Sequence, residues 1–188
     1  MDSKFADKFK IDLARLVNWN YSTTGNYFIT ICSCNHNNFL GKVDDEKIVL
    51  SKMGMIAHQC LMDISKHFAN GCLTASIVMP NHVHILVQVE TPYMASLPGN
   101  RKITLINYSH KNHPNYFSRL SEKSKQLIPK IIQQYKSAVT RQINPKTVFF
   151  GWQSGYHCII IESEIELLKI KNYINNNPKN WQKDKFYN

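Results

Sequence analysis

Two histidines, His82 and His84, stand one residue apart in the stretch MPNHVHILVQV, Met79 to Val89. In an extended chain, positions two apart project from the same face, so these imidazoles stand side by side. Neutral imidazole is a common ligand for divalent metals, and a pair leaves coordination positions open for substrate oxygens. On spacing alone, two solvent-facing histidines are the ordinary alternative. Nearby carboxylates are scarce, with only Glu90 on the same strand, so no third ligand is evident locally. A second reactive group stands in LIPKIIQQYKSAVTRQIN, Leu127 to Asn144. Tyr135 shares a helical stripe there with Ile131 and Val139, and is expected to pack on the sheet facing His82 and His84. A phenol oxygen is a nucleophile once its target is polarised or its proton removed. A core tyrosine with its hydroxyl at the edge is the plainer alternative. Lys136 and Arg141 are cations of the same helix, and Lys136 would stabilise a phenolate.

The elements that must position these groups are expected to form an α+β domain. Val83, Ile85, Val87 and Val89 give the histidine strand an apolar face. NYFITICSC, Asn26 to Cys34, reads as a strand, and Gly41 to Ser51 as a hairpin turning at Asp44 and Asp45. Apolar positions at Ile56, Cys60, Ile64 and Phe68 predict a helix over Ser51 to Asn70, capped by Ser51 and ended at Asn70-Gly71. Cys72 to Met79 is a further strand, joined to the histidine strand through Pro80-Asn81. Residues 91–127 are Pro-, Asn- and Lys-bearing and read as a mobile basic connection, with Tyr108, Tyr116 and Phe117 available for base stacking. The tyrosine helix spans 128–144. Cys158 to Ile161 is a short strand, and Ser163 caps a last helix over 163–177 with Leu167, Ile170 and Ile174 on its stripe. Residues 1–20 are a polar lead-in. The order suggests a ferredoxin-like antiparallel sheet, helices packed on one face, with the histidine motif on a central strand.

Composition narrows the partners. The chain has 188 residues, a length suited to one domain, with 43% hydrophobic residues and a net charge of +10. Such a basic excess suggests an anionic partner, nucleic acid being the commonest. The five cysteines are odd in number, lack any CxxC spacing and mostly sit in apolar runs. They read as buried hydrophobes in a reducing compartment. No secretory h-region and no membrane-length apolar run is present, so a cytoplasmic protein is expected.

His82-Val83-His84 matches the His–hydrophobic–His signature, and MPNHVHILV resembles its full form in single-tyrosine HUH transposases. WNYSTTGNYFITICS, IIQQYKSAVTRQIN, FGWQSGYHCIII and IKNYINNNPKNW follow in an order similar to insertion-sequence transposases and REP-associated tyrosine transposases. The resemblance implies a magnesium or manganese ion on His82 and His84, and a tyrosine that cleaves single-stranded DNA through a 5′-phosphotyrosine link. It implies a hairpin or palindromic DNA partner, with Lys136 placed to hold the scissile phosphate and Lys136 and Arg141 as the candidate DNA-binding cations, and a homodimer. It also implies a Gln or Asn one turn beyond the tyrosine at the metal. Val139 occupies that place after Tyr135 and cannot ligate. Tyr156 is the alternative nucleophile, and Gln142, Asn144 and His157 are alternative third ligands. A single-strand nucleic-acid-binding module without chemistry is the other functional reading. Either way, affinity for single-stranded DNA should fall steeply with added salt, through counterion release. A flat salt response in a binding titration would point to a protein partner instead.

Overall fold

The computed structural model describes residues 19–90, 126–143 and 149–187. Residues 1–18 of the lead-in, residues 91–125 of the basic connection with its aromatic residues, and Asn144 lie outside them. Strand β1, Gly25–Cys32, is the hub. It pairs antiparallel with β5, His82–Val89, on one side and with β6, His157–Ile161, on the other. Strand β4, Gly71–Val78, completes the sheet in the order β4-β5-β1-β6. This is the antiparallel ferredoxin-like order, with the histidine motif on a central strand as expected.

The connections follow from local chemistry. β2, Gly41–Asp44, and β3, Lys47–Leu50, form the hairpin. Its turn is Asp45-Glu46, both left-handed (φ 47° and 58°), the backbone of a type I′ turn. The turn therefore falls one residue later than Asp44-Asp45. Helix α1, Lys52–Met62, starts at Ser51, whose hydroxyl accepts from Gly54 N and donates to Phe39 O. Gly54 is required by close approach, because a Cβ there would run into the carbonyl of Leu40. The expected single helix breaks at Asp63 into α1 and a short α2, Ile64–His67.

Helix α3, Leu127–Ile143, buries Ile128, Ile131, Ile132, Tyr135, Val139 and Ile143, a stripe at 3.6-residue spacing. This stripe and α1 pack on Tyr27, Ile29, Ile31, Val83, Ile85, Val87 and Val89, the odd-numbered face of β1 and β5. Helix α4, Glu164–Asn176, is capped by Ser163 and carries Glu164 and Glu166 in its first turn. It covers the opposite face, where Ile170 and Ile174 meet Phe28, Leu86 and Ile161. The expectation of helices on one face thus holds for α1 and α3 and is corrected for α4. A sheet whose even face carries Phe28 and Leu86 needs a cover there too. A 3-10 helix, Pro178–Lys183, follows α4.

The odd-face core should dominate stability. Ile29→Ala, at a fully buried position, should cost about 2–5 kcal/mol in urea unfolding. Ile165→Ala, at a position 68% exposed, should change it by less than about 0.5 kcal/mol.

Candidate metal centre and its tyrosine

Strand pleating puts His82 and His84 on the even face, beneath α4 and the segment that follows it. Both are buried, at 0% and 1% exposure, rather than standing on an open site face. Tyr173 on α4 contacts the His84 ring, Trp181 contacts His82, and Phe186 lies 4.6 Å from the His82 ring centre. Burial pushes His82 down to about 3, helped by the positive charge of Lys185. Burial also holds His84 well below the ordinary histidine range. Both rings are therefore neutral at pH 7, the form that ligates metals.

Hydrogen bonds fix the rings. Asn81 Nδ2 donates to the carbonyls of His36 and Phe186, so its Oδ1 faces His82 Nδ1 at 2.9 Å. An amide oxygen only accepts, so His82 carries its proton on Nδ1 and turns a lone pair outward on Nε2. His84 Nε2 lies 3.0 Å from that atom, and Thr30 Oγ1 lies 2.9 Å from His84 Nδ1. Without a metal, His84 Nε2–H donates to His82 and the Thr30 hydroxyl donates to His84 Nδ1. A hydroxyl can reverse its role, so His84 can move its proton to Nδ1 and free Nε2.

Asp184 supplies the carboxylate that local sequence did not reveal. Ligand atoms of His82, His84 and Asp184 all lie within 4.8 Å of one another. The donor set fits a divalent ion. Two nitrogens in adjacent octahedral positions, each about 2.1 Å from an ion, would lie about 3 Å apart. Asn177, buried at the end of α4, donates from Nδ2 to Asp184 Oδ2. Its own Oδ1 is buried without a hydrogen-bond partner, a fourth donor beside the cluster. Tyr173 Oη lies 3.3 Å from His84 Nε2 and donates to Asp184 Oδ2 at 3.1 Å. Burial, then the Asp184 charge, pushes this phenol above its ordinary range. Burial also pushes the nearby Cys32 thiol up to about 11, so it remains protonated.

Tyr135 does not join this cluster. Its ring lies in the odd-face core, with the sheet between it and the histidines, and its hydroxyl donates to Ala57 O. Its apolar helical stripe matches the valine face of β5, not the imidazole face. Lys136 Nζ donates to the carbonyls of Gln153 and Gly155. With Arg141 it lines a shallow, open depression on α3. Tyr156 packs at the rim of the odd-face core. Gln142 donates to Cys60 Sγ, and His157 stands on β6 opposite Thr30. None of these is in the ligand cluster. The signal that could have found Tyr173 is its spacing from Asn177, a tyrosine followed one helical turn later by an amide.

No protein-family profile matches the chain. An uncharacterized protein of Haemophilus influenzae is 29% identical over 177 residues, covering 92% of this chain and 91% of its own. A REP-associated tyrosine transposase bound to a REP hairpin is similar with a TM-score of 0.49 and 13% identity, over 86% of this chain and 71% of that one. A candidate transposase from Deinococcus radiodurans gives 0.44 and 18%, over 82% and 91%. No helix among the described residues is long and apolar enough to cross a membrane.

The neutral histidines set an acid limit. Unfolded, they take up protons near pH 6.5; folded, they resist until far lower pH. Stability is therefore full above that value and falls as pH drops, by about 1.4 kcal/mol per pH unit for each histidine. Thermal melts in chelator from pH 7 to 4.5 should show this decline. It should flatten in His82→Asn/His84→Asn, compared in a His157→Asn background because partial burial lowers His157 as well.

Proposed function

We propose that this chain is a metal-dependent nuclease and strand transferase of the transposase kind, acting on single-stranded DNA with Tyr173 as nucleophile. The observation that carries the reading is the Tyr173 phenol, 3.3 Å from the His84 ligand nitrogen and bonded to Asp184. Asn177 fills the place, one turn beyond the tyrosine, where the HUH resemblance implies an amide. Tyr135 has neither neighbour.

His82 Nε2, His84 Nε2 and Asp184, with Asn177 Oδ1 beside them, would hold a magnesium or manganese ion, which would supply Lewis-acid polarisation of the scissile phosphate. Tyr173 Oη attacks the phosphorus in line. The bond to the 3′ oxygen breaks, giving a 5′-phosphotyrosine and a 3′-hydroxyl that takes up a proton. The phenol proton leaves along the existing bond to Asp184 Oδ2, the carboxylate within reach. Attack by a 3′-hydroxyl on the phosphotyrosine reverses the step and joins strands, so no nucleotide cofactor is consumed. The +10 charge supplies the backbone attraction that holds the strand. Asn81 and Thr30 orient the imidazoles for this work.

Incubation with single-stranded DNA hairpins and manganese, followed by a denaturing gel, tests the reading. Wild type should give a covalent adduct and Tyr173→Phe none, in a variant that still melts cooperatively. Tyr135→Phe should keep the adduct while losing about 1 kcal/mol of stability, the bond to Ala57 O. Asp184→Asn should weaken manganese binding about tenfold or more in calorimetry, as removal of a charged ligand does. DNA binding that is independent of metal, with no adduct from wild type, would favour the binding module without chemistry.

A further inference from the structure

We propose that the slot between His36 and His82, held here by the Phe186 ring, is the seat of one unpaired nucleobase next to the metal centre. The proposal rests on the single-stranded DNA reading above and names a subsite of it.

The slot is built as a stacking platform. The His36 and Phe186 rings lie 5.6 Å apart and 21° from parallel. The other ring contacts around the two site histidines cross at 32° or more. Near-parallel faces are what a base requires, and base–aromatic stacking tolerates any base. His36 is held in this attitude against its backbone preference. Asn35 and His36 both take left-handed φ, 54° and 53°, a cost that non-glycine residues bear where the surroundings impose it. The imposing contacts are visible. Asn81 Nδ2 donates to His36 O, and the Gln153 amide lies 2.8 Å from His36 Nε2.

The rim has the polarity a base edge and its phosphate would use. Asn81 Nδ2 also donates to Phe186 O at 2.6 Å, a bond that a base carbonyl or ring nitrogen could accept instead. Lys185 Nζ stands 4.7 Å from the centre of the Phe186 ring. The far wall is His82, so a base in the slot would bring its phosphate to the ligand cluster. Phe186 is a six-membered ring, the size of a pyrimidine. It occupies the slot as an internal stand-in, and an entering strand must displace it.

Binding is measured in chelator, so that no chemistry is read. The probes are a labelled oligothymidylate of about a dozen nucleotides and an abasic strand of the same length. Phe186→Ala should bind oligothymidylate about tenfold more tightly than wild type, with the abasic strand unchanged. His36→Ala in the Phe186→Ala background should remove that gain. An equal gain for both strands would mean that Phe186 merely excludes backbone, and would overturn the proposal. So would no gain in a variant that melts cooperatively. Should Phe186→Ala fail to fold, 4-fluorophenylalanine at position 186 alone gives a second readout. Its fluorine signal should move toward the solvent value with oligothymidylate and not with the abasic strand, and a fixed signal overturns the slot. Binding of neither strand removes the DNA reading and the slot together. A gain specific to bases without any covalent adduct in manganese keeps the slot and removes the nuclease.

Discussion

The pleat of β5 governs the rest of this molecule. Alternation sends Val83, Ile85, Val87 and Val89 into one core and His82 and His84 to the other face. Two buried imidazoles cannot be left unpaired, because an unsatisfied buried polar group costs about 1–3 kcal/mol. Asn81 and Thr30 answer that demand on the outer ring nitrogens, and the two Nε2 atoms answer each other. α4 and residues 178–187 then complete the enclosure, bringing Tyr173, Asn177, Asp184 and Phe186 to the same place. The site is thus a consequence of enclosing a polar stripe, and its donors come from segments far apart in the chain.

Enclosure also sets the electrostatic state. Burial keeps the histidines neutral and the Tyr173 phenol protonated. The imidazoles are thus in the form that ligates a cation, and the phenol is in its less nucleophilic form. A positive ion beside the phenol would act in the opposite sense to Asp184 and favour the phenolate. The two imidazoles differ in freedom. His82 faces an amide oxygen that can only accept, whereas His84 faces a hydroxyl that can turn, so a change of tautomer falls to His84.

Much of this was written plainly in the sequence. The strand alternation, the serine caps and the element order led to the antiparallel sheet and to His82 and His84 on a shared face. The sequence also held what was needed to place Tyr135, since an apolar helical stripe belongs against the valine face of β5. His82 and His84 on the other face offer that stripe no apolar partner. Asp184 was unreadable for a different reason. It follows the last patterned helix, and its partners lie about a hundred residues upstream, where no local periodicity can indicate them. Tyr173 hid beside the Ile170–Ile174 stripe, on a helix that looked purely structural.

The sheet is also a partition. The packing that carries most of the hydrophobic burial lies on one side, among α1, α3 and the odd-numbered strand residues. The reactive groups lie on the other, under α4. Changes on opposite sides share few partners, and free energies of well-separated substitutions add to within about 0.5 kcal/mol. Sequence drift in the α1–α3 layer can therefore proceed with little effect on the ligand cluster, while the histidine side can change on an unchanged foundation. A single layer of backbone separates what the protein can vary to persist from what it can vary to act.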